Sequence, residues 1–254
     1  MTSLRVDLVQ TASGLNPAEN RARLADLVPS GADLVVLPEA FQRDFGPPDG
    51  DLTGLSEPVD GPFAAELDRV ATARGTTVVA GMFETGEDPA RPFNTLLVRG
   101  AARAEYRKIH LYDAFGYAES DRFTAGPLTP VTVPFGEVTL GLMTCYDLRF
   151  PEQGRRLVDA GADVLVVPAA WVAGDRKVAH WQTLVRARAI ENTAWVVAVG
   201  QPAPRYCGHS TVVSPEGDVL VEAGAEEEVV SAVIEVSVRE RARRANPSLA
   251  NRRL

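Results

Sequence analysis

Apolar and polar positions along the chain fall into a recurring order of strand and helix patterns. Residues 4–9 (LRVDLV) alternate in part and predict a strand. Asn16-Pro17 then predicts a helix start, with Asn16 as N-cap, Pro17 in the first turn and Glu19 three residues after the cap. Leu24, Leu27 and Val28 supply that helix with a buried stripe. Residues 33–37 (DLVVL) are a continuous apolar run closed by Pro38, the pattern of a strand covered on both faces. A helix over 62–74 lies between Pro62 and Gly75, and strands follow at 76–83, 93–99 and 103–107. A loop fills 109–128. Strands at 131–134 and 137–143 lead into TCYDLRF, and Pro151 opens a helix to about 160. A second doubly covered strand is predicted at 163–167 (DVLVV), ended by Pro168. Trp181, Leu184, Val185 and Ala189 give 178–192 helical spacing, and strands at 195–200, 209–214, 218–222 and 229–235 complete the core. Strands alternating with helices in this way define the α/β class.

One internal similarity divides the chain. Residues 31–40 read GADLVVLPEA and residues 161–170 read GADVLVVPAA, agreeing at six of ten positions at an offset of 130. Each copy follows a strand and a helix. Each half therefore contains a strand–helix–strand unit, with the right-handed crossover that parallel strands adopt. The expectation is two pseudo-symmetric halves, with 33–37 and 163–167 in equivalent places.

The chain has 254 residues, 45% hydrophobic and 24% charged, with no low-complexity segment or long linker. That predicts a single domain over 1–240 and an Arg-rich tail over 241–254, solvated or held by another subunit. With 26 basic and 34 acidic residues the net charge is −8. This argues against nucleic acid as a partner and against docking on an anionic membrane. No apolar run approaches the ~18 residues that span a bilayer. The N-terminus MTSLRVDLVQ has no apolar signal core, and two cysteines make no disulfide framework. A cytoplasmic, reducing setting is expected.

Ligands in open α/β sheets gather at the carboxyl ends of parallel strands. Three reactive groups fall at such ends: Glu39, Lys108 and Cys145. Glu39, just past a buried strand, is placed to lose solvent and serve as a general base. Lys108 can steady a developing oxyanion. Cys145, between a strand and a helix, suits a nucleophile, and a nearby ammonium would favour its thiolate. Taken singly, each has a plain structural explanation; the joint pattern carries the weight. His110, His180 and His209 lack the local context of a Cys–His pair, and no spacing of cysteine and histidine fits zinc. Cys207 reads as a packing or loop residue, and Gly208 and Gly217 as turn residues.

Five segments in order carry a resemblance: LVVLPEAF (34–41), YRKIHLYD (106–113), GLMTCYDLRFPE (141–152), HWQTLVRARAIEN (180–192) and GHSTVVSPEGDVL (208–220). The chain resembles the nitrilase, or carbon–nitrogen hydrolase, superfamily over nearly its whole length. The resemblance implies a four-layer αββα sandwich, commonly paired into homodimers or larger oligomers, that needs no metal or organic cofactor. It implies a triad of Glu39, Lys108 and Cys145, assisted by Glu119, with the backbone N–H of Tyr146 joining Lys108 around an oxyanion. Cys-Tyr-Asp resembles the amidases of the superfamily. CYDLRF and GHSTVV most resemble the omega-amidases and deaminated-glutathione amidases, which cleave a terminal amide from small carboxylates. Arg149 would then grip the substrate carboxylate with a bidentate fork; an ion pair with Glu152 or Asp147 is the structural alternative. Hydrolysis of an N-carbamoyl amine or a nitrile, and a non-catalytic binding role on the same fold, are the rival readings. Residues 42–56, 113–119 and 201–207 depart from the family pattern, in loops that commonly shape the pocket.

Overall fold

The computed structural model describes residues 3–253. In chain order its elements are β1 (Ser3–Gln10), α1 (Pro17–Ala22), α2 (Leu24–Leu27), β2 (Leu34–Val36), α3 (Pro62–Arg74), β3 (Thr77–Glu84), β4 (Phe93–Arg99), β5 (Ala104–Arg107), β6 (Asp113–Ala114), β7 (Tyr117–Ala118), β8 (Thr132–Phe135), β9 (Val138–Leu142), α4 (Pro151–Asp159), β10 (Val164–Ala169), α5 (Lys177–Asn192), β11 (Trp195–Gly200), β12 (Thr211–Val213), β13 (Val219–Glu222), β14 (Glu228–Glu235) and α6 (Val236–Ala245). No helix among the described residues is long and apolar enough to cross a membrane.

The strands form two six-stranded sheets, ordered β14-β1-β2-β3-β4-β5 and β8-β9-β10-β11-β12-β13, and a small β6-β7 hairpin. In the first sheet β1, β2 and β3 run parallel, with β14 antiparallel on one side and β4 and β5 on the other. The second sheet repeats that sequence of directions: β9, β10 and β11 are parallel, with β8 antiparallel on one side and β12 and β13 on the other. The two GAD segments thus lead into the third strand of equivalent sheets, as the 130-residue offset predicts.

Side-chain alternation explains the layers. On β2, Leu34 and Val36 enter the core between the sheets, where β10 contributes Val164 and Val166. Val35 and Leu37 turn the other way, onto Phe63, Leu67 and Val70 of α3. Leu165 and Val167 of β10 likewise meet Leu157 of α4 and Trp181 and Val185 of α5. The continuous apolar runs are therefore strands with a sheet on one face and helices on the other, and the architecture is a four-layer αββα sandwich. Each buried aliphatic side chain contributes roughly 1.5–3 kcal/mol of transfer free energy.

Several local expectations change. The first helix breaks at Arg23 into α1 and α2. Asn16 still caps it, accepting from the Ala18 N–H at 3.0 Å. Pro168 lies inside β10 rather than ending it. β9 pairs only as far as Val166, while β11 continues to Ala169, so the proline occupies a stretch paired on one side. The 109–128 loop contains the β6-β7 hairpin and a 3-10 turn at Glu119–Asp121. The basic C-terminal segment starts with α6, which packs on the second half. Arg239 pairs with Asp163, Arg243 Nε donates to Thr193 O at 3.2 Å, and Arg252 forks onto Asp159 at 2.6 and 2.9 Å.

Gly81 of β3 is demanded by the turn that carries Glu39. A Cβ at Gly81 would lie 2.3 Å from Ala40 N and 2.8 Å from Glu39 Cα, and Ala40 is itself held at φ +55°. Backbone cannot give way as a flexible side chain would. Gly81→Ala is therefore expected to cost at least ~2 kcal/mol, toward the upper range for overpacking, and to displace Glu39. A denaturant midpoint equal to wild type would contradict this.

Candidate active site

Four polar groups converge where the two halves meet. Glu39 follows β2 and is 1% exposed. Its Oε1 accepts from Lys108 Nζ at 3.0 Å and from Asn94 Nδ2 at 2.7 Å. Its Oε2 accepts from the Ala170 N–H at 2.6 Å, at the end of β10. Lys108 follows β5, and its own N–H donates to Asn94 O at 2.8 Å. The Lys108 ammonium also donates to Glu119 Oε2 at 2.8 Å. The same oxygen of Glu119 receives the Tyr112 N–H at 2.7 Å, and Asn94 Nδ2 reaches Glu119 Oε1 at 3.1 Å. The lysine is thus clamped between two buried carboxylates, which keeps it charged without a solvent shell.

Cys145 stands at the start of a 3-10 turn, Cys145–Arg149, with φ +45°. A non-glycine residue in this region is strained, and the surroundings must over-determine it. Asp147 does so. Its Oδ2 accepts from the Thr144 N–H at 2.8 Å and from the Tyr106 hydroxyl at 2.6 Å. Its Oδ1 faces the His110 N–H at 3.2 Å and His110 Nδ1 at 2.7 Å. The His110 ring is stacked on Phe150 at 3.8 Å. Tyr106 and His110 flank Lys108 in sequence, so the segment that delivers the ammonium also braces the cysteine turn.

The Cys145 thiol and the Glu39 carboxylate line the same cavity. Burial, then the negative charge of Glu39, push the thiol well above its ordinary range, and Lys108 offsets only part of this. Burial would also lower Lys108, but the charges of Glu119 and Glu39 outweigh it and hold the ammonium well above the usual lysine range. These directions favour a neutral thiol and a charged lysine in the same cavity. The ammonium that was expected to favour the thiolate is shared by two carboxylates, so its effect on the thiol is only partial.

These groups line a cavity of about 340 Å³ walled by aromatic side chains including Tyr112, Tyr146 and Trp171. Arg149 also lines it, with its guanidinium 4.7 Å from the centre of the Trp171 ring. Its Nε and Nη2 are buried and have no hydrogen-bond partner among the described residues. The alternative ion pair of Arg149 with Asp147 or Glu152 does not form among those residues; Asp147 is taken up by Tyr106, Thr144 and His110. No histidine lines the cavity, and His209 is turned to Glu222 at 3.0 Å. Cys207 is buried beside Trp171 in the helix-side core, and burial pushes its thiol up to about 12.

Sequence reasoning passed over Asn94 and Gln201. Asn94 touches Glu39, Glu119 and, through its carbonyl, the Lys108 backbone. The available signal was an asparagine inside the otherwise apolar strand pattern of FNTLLV. Gln201 Nε2 donates to the Glu39 carbonyl at 3.0 Å, and its Oε1 accepts from the Ser13 N–H at 3.1 Å.

A family model described as carbon-nitrogen hydrolase matches residues 5–244. A hydrolase of Mycobacterium tuberculosis (strain H37Rv) is 40% identical over 256 residues, covering 92% of this chain and 90% of the relative. A deaminated glutathione amidase of Escherichia coli O157:H7 is 36% identical over 234 residues, covering 91% and 88%. Among solved structures, an amidase variant from Nesterenkonia sp. AN1 superposes with a TM-score of 0.78 at 26% identity, covering 98% of this chain and 97% of that one. It carries the acetamide moiety of fluoroacetamide covalently on its active-site cysteine. Fold, polar cluster and relatives agree on a class: a hydrolase of carbon–nitrogen bonds. The chain belongs to the carbon–nitrogen hydrolase family.

Proposed function

We propose that the chain is an amidase that hydrolyses a small, linear, carboxylate-bearing amide through a thioester on Cys145. One observation carries this reading. Glu39, Lys108 and Cys145 line one cavity, with Glu39 Oε1 held by Lys108 and Asn94, and burial and the Glu39 charge keep the thiol protonated. A thiol that is not ionised at rest needs a base at the moment of attack, and Glu39 is that base. Its proton transfers to Glu39 as sulfur bonds to the amide carbon. Lys108 and the Tyr146 N–H take the oxyanion of the tetrahedral intermediate. Glu39 returns the proton to nitrogen, the C–N bond breaks, and ammonia leaves an acyl thioester. Water then gives a proton to Glu39 and attacks the thioester carbon. The C–S bond breaks, the sulfur recovers its proton, and the carboxylic acid departs. One difficult displacement is divided into two easier ones. Glu119 keeps Lys108 charged and in place throughout.

Arg149 is the carboxylate clamp. Its guanidinium, stacked on Trp171, belongs to the wall of a cavity of a size to hold a short acid. The name of the Escherichia coli relative supports the same substrate class. A charge-assisted contact of ~1.5–3 kcal/mol corresponds to roughly 10- to 150-fold in kcat/KM. Arg149→Met is expected to lower kcat/KM by that factor for a monoamide of a short dicarboxylic acid, while a neutral amide of equal length changes little. Equal losses on both substrates would contradict the clamp and leave the cysteine chemistry standing.

A further inference from the structure

The two GAD segments repeat in hydrogen bonds as well as in sequence. The Asp163 N–H donates to Thr139 O at 2.8 Å, its Oδ2 accepts the Thr139 N–H at 2.9 Å, and its carbonyl accepts the Trp195 N–H at 3.0 Å. Asp33 makes the same three bonds. Its N–H donates to Arg5 O at 3.0 Å, its Oδ2 accepts the Arg5 N–H at 2.8 Å, and its carbonyl accepts the Thr77 N–H at 3.0 Å. The helices beside them close alike. α5 is capped by Thr193 at φ +41° and α3 by Gly75 at φ +65°. The next N–H turns back in each case, from Ala194 to Ala189 O at 3.2 Å and from Thr76 to Ala71 O at 3.1 Å.

In the second half this frame holds guanidinium groups. Arg239 of α6 pairs with Asp163 Oδ1, and Arg243 lies 3.8 Å from the same oxygen. Arg243 Nε donates to the Thr193 carbonyl at 3.2 Å, and its Nη2 donates to the Ala162 carbonyl at 3.5 Å. A carboxylate beside the last carbonyls of a helix attracts a cation twice over, through its charge and through the helix dipole. The first half repeats the carboxylate and the helix end. Among the described residues, however, no arginine reaches Asp33 Oδ1 or the Gly75 carbonyl. Arg5 Nε is turned to Asp7 at 3.6 Å, and Arg74 donates to the Ala25 carbonyl at 2.6 Å. Asp163 is buried, whereas Asp33 is half-buried. Asp33 and Gly75 open on a cavity of about 510 Å³ whose walls include Leu4, Thr72, Phe135 and Val236. Val236 begins α6, so the helix that supplies arginines to one frame starts at the wall of the other.

We propose that this cavity binds an alkylguanidinium group, carried by a small guanidino compound or by an arginine of another polypeptide. Asp33 Oδ1 and the Gly75 carbonyl take the planar fork, as Asp163 and Thr193 take the arginines of α6. The methylenes of the ligand lie on Leu4 and Phe135. Asp33 precedes β2 and Glu39 follows it, so the site is at the other end of the strand from the amide chemistry and does not depend on it.

The test titrates butylguanidine into the whole protein by calorimetry, beside butylamine and a blocked tripeptide with a central arginine. Butylguanidine is expected to saturate one site with a Kd of about 1 mM or below, the range of one charge-assisted fork with a short apolar tail. Butylamine should bind about tenfold more weakly, since it lacks the planar fork. Asp33→Asn should weaken butylguanidine at least about tenfold, while its remaining oxygen can still accept the Arg5 N–H. Thr72→Trp, at an exposed position of α3, should weaken it as much by filling the cavity mouth, with the Asp33 bonds intact. Tripeptide binding as tight as that of butylguanidine supports the site with a polypeptide arginine as its ligand. Binding of butylguanidine alone supports it with a small guanidino compound. No saturable binding of either up to about 20 mM, well above the expected Kd, overturns the site. So does binding that Thr72→Trp or a folded Asp33→Asn leaves unchanged.

Discussion

Replacing Cys145 with alanine is expected to lower amide turnover at least ~10⁴-fold, since without a nucleophile only positioning and oxyanion stabilisation remain. The variant should fold. The side chain removed is one sulfur atom at a cavity wall, and alanine tolerates the φ +45° backbone as well as cysteine does. Cys145→Ser should be nearly as inactive. Burial and the Glu39 charge already raise the thiol well above its ordinary range. An alcohol, intrinsically harder to ionise, in the same place would hold its proton more strongly still. Ammonia release, measured beside a thermal melt, checks both variants. Sustained turnover in Cys145→Ala with a wild-type melt would exclude the covalent route.

Lys108→Met should have the largest effect on stability. The lysine lies 3.0 Å from Glu39 and 2.8 Å from Glu119, with all three side chains at most 2% exposed. Removing it leaves two carboxylates buried in one space with only the Asn94 amide between them. Breaking a buried charge network from one side costs roughly 3–5 kcal/mol. For a chain of this size that lowers Tm by about 6–20 °C. The loss should grow with pH. Without the cation, the carboxylate pair retains a proton in the folded state that the unfolded chain releases, so stability falls as pH rises. Melts at pH 5 and pH 8 check this; a variant equally stable to wild type at both would contradict the clamp. Turnover should be lost even where the variant is folded.

The sandwich was largely legible in the residues. Pro62 and Gly75 bound α3 because one pre-sets the first helical turn and the other takes the left-handed cap at φ +65°. The repeat GAD-apolar-Pro revealed β2 and β10, since a strand covered on both faces needs an unbroken apolar run. Glu39, Lys108 and Cys145 were legible as strand-end groups because strand ends are where a sheet exposes side chains to one place. What escaped depends on contacts across long sequence separation. Pro168 is tolerated in β10 because a neighbouring strand stops early. The β6-β7 hairpin is held partly by Asp113, which accepts from the Ser120 N–H at 2.9 Å, not by local strand propensity. Asn94 reads locally as one polar residue in a strand, and only the fold brings both glutamates to its amide. The protonation of Cys145 likewise depends on Glu39, 106 residues away. The departures at 42–56, 113–119 and 201–207 were legible as pocket-shaping loops, and Phe45, Phe115, Tyr117, Arg205 and Tyr206 do line the cavity.

A covalent acyl group on Cys145 is open to one direct measurement. Wild-type enzyme turning over a primary monoamide of a short dicarboxylic acid is quenched in acid, and its intact mass is taken with peptide mapping. A parallel reaction contains hydroxylamine. An adduct with the mass of the substrate less ammonia is expected on Cys145 and absent from Cys145→Ala. Hydroxylamine is expected to divert the acyl group into the hydroxamate. Turnover without an adduct and without hydroxamate, or an adduct on Cys207 instead, would contradict the acyl group on Cys145.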